Sequence, residues 1–341
     1  MKKVVVGLLP LLAIALLASS ALSQKVGSTS MQFLKVMPCA RATAMGEAYS
    51  VLASGAEAVF WNPAGLARVE NVEVSLSYIK WIFDTRQAAL SVAASLGSFG
   101  TAGVQLQYVD FGEIPEAVWA SPYRDDIENP GLTGNMFRPY AYLVGISYAY
   151  QLTEKFSTGL SVKIAHESLY NGSTVTSVTS LGEVVDAETW ANGLMFDFGI
   201  LYDTGFRSIK LGASVQNFGP NVTYAVEDNS IPLSLRVGIA ANLVGQDALL
   251  MSMENNRLGM AFDLFQPNDY TQQAHMGVEY EYAGMVALRA GYKFNYDADG
   301  FTAGLGVKQT LGGTRFSVDY SYGALDFDLG RVHRISIGAG F

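Results

Sequence analysis

From Val72 to its last residue the chain repeats one pattern, in which apolar and small or polar residues alternate over segments of about ten residues, the length a tilted strand needs to cross a bilayer. Val72, Val74, Leu76 and Tyr78 share one side of the first segment; Tyr140, Tyr142, Val144, Ile146, Tyr148 and Tyr150 share one side of another. His333, Ile335, Ile337, Ala339 and Phe341 do so in the last, with Arg334, Ser336, Gly338 and Gly340 opposite. The apolar side carries almost no charge in any segment. A soluble sandwich would bury that side and show mainly polar residues on the other. Here the opposite side interleaves Gly, Ala and Ser with single charges, which suits a lumen.

A terminal strand of this kind has a free edge, and in a membrane the stable way to satisfy it is closure onto the first strand. The expected fold is therefore all-β: a transmembrane antiparallel β-barrel over residues 71–341. About fourteen segments can be counted, with twelve or sixteen as alternatives. Loop lengths give an independent check, since long and short connections should alternate. Asp110 to Arg138, Glu167 to Trp190 and Asn217 to Pro232 fall on one end of the barrel, and the short connections at Gly97, Gln151, Asp203 and Ala283 on the other. Val244 to Asn256 is long for its end and Trp81 to Arg86 short for its own. Phe341 as the final residue resembles the assembly signal of bacterial outer-membrane barrels, which implies the barrel assembly machinery as a partner and outer-membrane lipid as the surroundings.

The first residues have a different purpose. Lys2 and Lys3 precede an apolar run from Val4 to about Ala21, then Ala21-Leu22-Ser23, which is the layout of a cleaved export signal over residues 1–23. Its removal would take the formal charge from -9 to -11. An acidic chain of this kind is a poor partner for nucleic acid. No later apolar run reaches helical spanning length. Cys39, the single Cys, has no second thiol with which to form an internal disulfide.

Residues 24–70 lack the alternation. Ala40 to about Ala53 reads as a short helix, rich in small residues. In Phe60-Trp61-Asn62-Pro63-Ala64-Gly65-Leu66, Asn62 can cap a helical turn, Pro63 can open it and Gly65 can end it. Together with Arg41-Ala42, Ala44-Met45-Gly46-Glu47-Ala48 and Gly55-Ala56-Glu57-Ala58, this stretch resembles the N-terminal signature of the PorV/PorQ family. That family is related to the FadL-type outer-membrane transporters, which share the Asn-Pro-Ala element. Gln216-Asn217-Phe218-Gly219, Arg289-Ala290-Gly291-Tyr292, Asp319-Tyr320 and His333-Arg334-Ile335-Ser336 extend the resemblance over most of the chain. It implies that residues 24–70 fold into the lumen as a hatch, with Arg41, Gly46, Glu47, Asn62, Pro63, Ala64 and Gly65 as its motif. It further implies a bacterial outer-membrane location with both termini periplasmic.

The inward side of the strands carries Gln105, Gln107, Lys163, Asp197, Gln216, Arg236, Asp263, Glu279, Arg289, Lys308, Asp319 and Arg334. Charges of both signs on neighbouring strands are expected to pair with one another, or with Arg41 and Glu47, because an unpaired buried charge is costly. Such a lumen is not built as an ion-selective open pore. The three His (His166, His275, His333) lie on separate segments, and no catalytic motif or metal-ligand spacing accompanies them. No enzyme and no cofactor are expected. Asn295, Asp297, Asp299 and Gly300 mimic the start of a calcium loop, but Gly306 stands where a Glu is needed, so a hairpin tip is the expectation.

Two functions follow from the resemblance. A PorV/PorQ-type protein would work with type IX secretion components and cargo signal domains, engaging them through its outer loops, with Trp119, Tyr123 and Phe137 as anchors. A FadL-like protein would instead pass hydrophobic small molecules, with Phe33, Leu34, Met37, Phe60 and Trp61 lining a pocket beside the hatch.

Overall fold

The computed structural model describes residues 27–117, 132–178, 184–225 and 227–341. The export signal and two of the three loop anchors, Trp119 and Tyr123, lie outside the described residues. Among the described residues there are twenty strands: β1 (Val72–Lys80), β2 (Arg86–Ser95), β3 (Thr101–Asp110), β4 (Ile114–Ala117), β5 (Leu132–Phe137), β6 (Tyr140–Thr153), β7 (Phe156–Ser168), β8 (Thr174–Val178), β9 (Val184–Glu188) and β10 (Trp190–Asp203). They continue with β11 (Lys210–Phe218), β12 (Val222–Tyr224), β13 (Glu227–Asn229), β14 (Ser234–Val244), β15 (Asn256–Pro267), β16 (Gln273–Tyr282), β17 (Val286–Phe294), β18 (Asp299–Leu311), β19 (Thr314–Leu325) and β20 (Gly330–Gly340).

Fourteen of them close into an antiparallel barrel, β1-β2-β3-β6-β7-β10-β11-β14-β15-β16-β17-β18-β19-β20. The last strand pairs with the first, Leu76 opposite Ile337 and Lys80 opposite His333, and Phe341 N–H donates to Val72 O at 2.9 Å. No edge is left open, as the membrane requires. The outward sets of the sequence hold their side: Leu76, Tyr78, Val144, Ile146, Ile335 and Ile337 are exposed, and Ser75, Ser77, Ser147 and Ser336 between them are buried. The inward set holds as well, from Gln105 and Lys163 to Asp319 and Arg334.

The end near Val72 and Gly340 is the terminal end of the barrel, and the opposite end is its loop end. Three long connections at the loop end fold back as hairpins of their own, β4-β5, β8-β9 and β12-β13. The two misfits of loop length leave the strand count intact. Trp81 to Thr85 makes a tight turn, closed by Trp81 N–H to Thr85 O at 2.9 Å, and residues 245–255 form one long connection at the terminal end.

The segment before β1 runs inside the cylinder. Its helix is shorter than the sequence suggests, Ala40–Ala44 and not Ala40 to Ala53. Gly46 and Glu47 both take positive φ, +63° and 65°, so the chain leaves the helix after one turn, with Glu47 N–H returning to Ala42 O at 3.1 Å. Asn62 does cap, its Oδ1 accepting from Ala64 N–H at 3.1 Å, and Pro63 opens the turn. Gly65, however, lies within a 3-10 turn that continues to Arg68, because Val69 N–H still reaches Leu66 O.

Inward glycines let the wall take this backbone. A side-chain carbon on Gly291 would run into Gly46 N and Met45 C, and one on Gly159 into the Pro63 carbonyl carbon and Ala64 N. These are backbone obstacles that cannot rotate away. Gly291→Ala is therefore expected to unseat the Ala44–Ala48 stretch while the barrel persists. The check is limited trypsinolysis: cleavage at Arg41 should become several-fold faster, with the heat-modifiable migration of the barrel unchanged. Equal cleavage rates would refute the close fit.

Candidate functional site

Two features of the lumen carry chemistry: the ionic seat of the N-terminal segment, and a cavity above it at the loop end. The seat begins with Arg41, whose Nε and Nη2 both donate to Glu279 at 2.9 Å. Glu279 also accepts from Arg289 Nε at 2.6 Å and Arg257 Nη2 at 2.5 Å, and Arg289 Nη1 continues to Asp319 at 2.6 Å. One buried carboxylate thus holds three guanidinium groups, one from the segment and two from the wall. Asp263 accepts the backbone N–H groups of Tyr49 at 3.0 Å and Ser50 at 2.8 Å, and the Ser50 hydroxyl at 2.8 Å.

Glu47 makes a second bolt. Lys293 Nζ lies 2.6 Å from its Oε1 and Arg236 Nη2 3.3 Å from its Oε2, and Lys293 also meets Asp299 at 2.6 Å. The Arg236 guanidinium is sandwiched, 4.0 Å from the Phe265 ring and 5.3 Å from Trp61. Its Nη1 lies 3.1 Å from His275 Nδ1, and His275 Nε2 lies 2.8 Å from the Tyr296 hydroxyl. Burial opposes the charge of Glu47, but Lys293 and then Arg236 outweigh it and hold its carboxyl well below the usual carboxylate range. A carboxyl lowered in the folded state contributes stability that is present above the unfolded carboxylate pKa and lost as pH falls through the folded one. The segment is therefore expected to stay seated at neutral pH and to loosen only in acid well below pH ~4. Protease accessibility of the segment against pH checks this; Glu47→Gln should expose it at neutral pH.

The Asn62–Arg68 arm is held by backbone recognition. Asn62 Nδ2 donates to Ser50 O at 2.9 Å and to Ile200 O on the wall at 3.2 Å. Gln216 Nε2 donates to Phe60 O at 2.6 Å and Gln105 Nε2 to Val59 O at 3.2 Å. Cys39 is buried, and its thiol donates to Glu57 Oε2 at 2.7 Å. Burial, followed by the Asp319 charge, pushes the Glu57 carboxyl up, against the pull of the Cys39 and Ser75 hydrogen bonds.

Above the segment lies a cavity of about 410 Å³ at the loop end. Leu34, Val36, Met37, Ile82, Phe265 and Leu325 give it apolar walls, and Glu47, Arg236, Lys293 and Arg334 reach its floor. Arg334 stacks on Trp81, its guanidinium carbon 5.1 Å from the ring. Of the proposed pocket residues, Leu34 and Met37 line this cavity. Phe33 packs instead in a cluster with Met31, Val109 and Leu143, and Phe60 and Trp61 pack in another with Tyr49, Val59 and Leu66. Their size and apolarity serve the packing of the segment against itself and the wall.

The structure thus brings Arg41, Gly46 and Glu47 to one seat and Asn62, Pro63, Ala64 and Gly65 to another. Phe137 lies apart on the β4-β5 hairpin, its ring 5.0 Å from Tyr170. Phe341 stands exposed at the terminal end. The calcium-like residues use their oxygens locally: Asp299 meets Lys293, and Asp297 accepts the Tyr270 hydroxyl at 2.7 Å. Lys293, Arg257 and Ser50 are partners the sequence reading missed. The inward parity of Lys293, two residues from Gly291 and four from Arg289, was the available signal.

Residues 19–264 match the family described as type IX secretion system protein PorV. No curated protein matches the chain. Among solved structures, the Pseudomonas putida toluene transporter TodX superposes with a TM-score of 0.56 at 17% identity, covering 87% of this chain and 95% of that one. The Ralstonia pickettii toluene transporter TbuX gives 0.51 at 13%, covering 87% and 96%. A Pseudomonas aeruginosa FadL homologue gives 0.50 at 11%, covering 89% and 97%. At these identities the likeness is one of fold.

Proposed function

Starting from the fact that this chain belongs to the type IX secretion system protein PorV family, we propose that it is an outer-membrane partner of type IX secretion that holds protein at its loop end. The terminal end, with Phe341, faces the periplasm in this reading, and the hairpins β4-β5, β8-β9 and β12-β13 face outward. The observation that carries it is the filled lumen: three buried carboxylates, Glu47, Asp263 and Glu279, are spent on seating the chain's own segment. That arrangement suits a binding platform better than a conduit, and no catalytic role is assigned. Secretion components and cargo signal domains are the partners, engaged by loop residues that include Trp119, Tyr123 and Phe137.

The cavity favours a second reading, since its largely apolar walls would accept a hydrophobic small molecule such as the named neighbours, toluene transporters, carry. One preparation separates the two. Affinity purification from detergent extracts should bring down secretion components or signal-domain cargo under the first reading. Recovery of the barrel alone, with a hydrocarbon or fatty acid in its solvent extract, would overturn it in favour of the second.

A further inference from the structure

The lipid-facing wall is not uniform in charge. By the alternation of the strands, Lys80, Arg86 and Arg331 are the only Lys or Arg of the described barrel strands whose side chains point outward, and all three lie at the loop end. Register places them together. Reading across the wall, Tyr322 pairs with His333, His333 with Lys80, Lys80 with Arg86, and Arg86 with Asp110. At the interstrand spacing, His333, Lys80 and Arg86 span roughly 10 Å, and Arg331 stands two residues from His333 on the same face. All three cations are exposed, and none forms an ion pair or hydrogen bond among the described residues. The one acid in the row, Asp110, is hydrogen-bonded by Arg138, whose Nε donates to it at 2.8 Å, and its charge also reaches Arg86.

The rows beneath fix the depth. One step toward the middle of the wall the same strands present Tyr320, Ile335, Tyr78, Ala88, Tyr108 and Tyr142. One step further come Val318, Ile337, Leu76, Leu90, Leu106 and Val144. Hydrocarbon, then aromatic girdle, then cations is the order in which a bilayer presents acyl chains, interface and headgroups. In a chain of formal charge -9 these cations run against the overall balance.

We propose that Lys80, Arg86 and Arg331 form an exterior site for the phosphate of a lipid headgroup in the leaflet at the loop end, with His333 and Tyr322 at its edge. Guanidinium and ammonium groups at headgroup depth recognise phosphate oxygens by charge-assisted hydrogen bonds. The site is independent of the lumen and of what the loops hold.

The test uses the full chain in detergent, titrated with bis-phosphorylated lipid A, with the same lipid freed of phosphate, and with inorganic phosphate, bound lipid being counted by native mass spectrometry. The phosphorylated lipid should bind, and Lys80→Gln/Arg86→Gln/Arg331→Gln should weaken it by roughly tenfold or more, as expected when several charge-assisted contacts are lost. Lys155→Gln, in a turn at the terminal end, should change nothing. Heat-modifiable migration confirms that each variant is folded. Equal retention of the dephosphorylated lipid, or undiminished binding by the folded triple variant, overturns the site. Inorganic phosphate bound as tightly as the lipid, with the same variant dependence, overturns the lipid headgroup as the source.

Discussion

Deleting Met31 to Arg68 is expected to raise single-channel conductance in planar bilayers by roughly an order of magnitude or more, since a barrel of this strand number encloses a lumen wider than side chains alone fill. The segment crosses the intact lumen and is tied to the wall on several sides: Ser336 and Ser321 meet it at Ala40 N and Thr43, Asp263 at Tyr49 and Ser50, Gln105 and Gln216 at Val59 and Phe60. Removal leaves the cations Arg236, Arg289 and Lys293 facing water, which hydrates them and keeps the bore polar. The deleted barrel must first show heat-modifiable migration. If that folded barrel conducts no more than the full chain, the segment does not block it.

Glu279→Ala should be the most destabilising single substitution in the seat, costing about 3–5 kcal/mol, as breaking a buried ion pair from one side does. Three guanidinium groups lose their common acceptor. Arg289 keeps Asp319 and Arg257 keeps Glu281 at 3.2 Å, but Arg41 loses both of its hydrogen bonds to the wall. The damage should therefore fall on the segment before the barrel. The expected result is fast trypsin cleavage at Arg41 and a lower denaturant midpoint for the segment, with the strands melting later. Glu279→Gln should lie between, since its amide oxygen still accepts one guanidinium. A midpoint within experimental error of wild type would show that Arg41 is held by other means.

The ionic seat shows where sequence reasoning reaches and where it stops. Inward parity identified Arg236, Asp263, Glu279, Arg289 and Asp319, and the cost of a lone buried charge required that they pair. Which partner each would take was not legible. Glu47 takes Lys293 and Arg236, strands apart, because two left-handed residues turn its side chain toward that side of the wall. Asp263 takes backbone N–H groups and no cation bridge to the segment. Trp61 and Phe60, large and apolar beside a hatch motif, were as compatible with a pocket as with a core; the path of the segment put them in the core and left Met37 on the cavity.

What the sequence by itself determined is the cylinder. Alternation at period two is a local property, and an apolar outward face, charged only at one rim, repeated over some fourteen segments has a single stable environment, so sidedness and closure could be read residue by residue and strand number to within a hairpin. What only the tertiary structure decided is the interior: where the helix stops, which charges meet, and where space remains for a ligand. Those depend on register between strands distant in the chain and on the route of a segment that touches many of them at once. No local period records either.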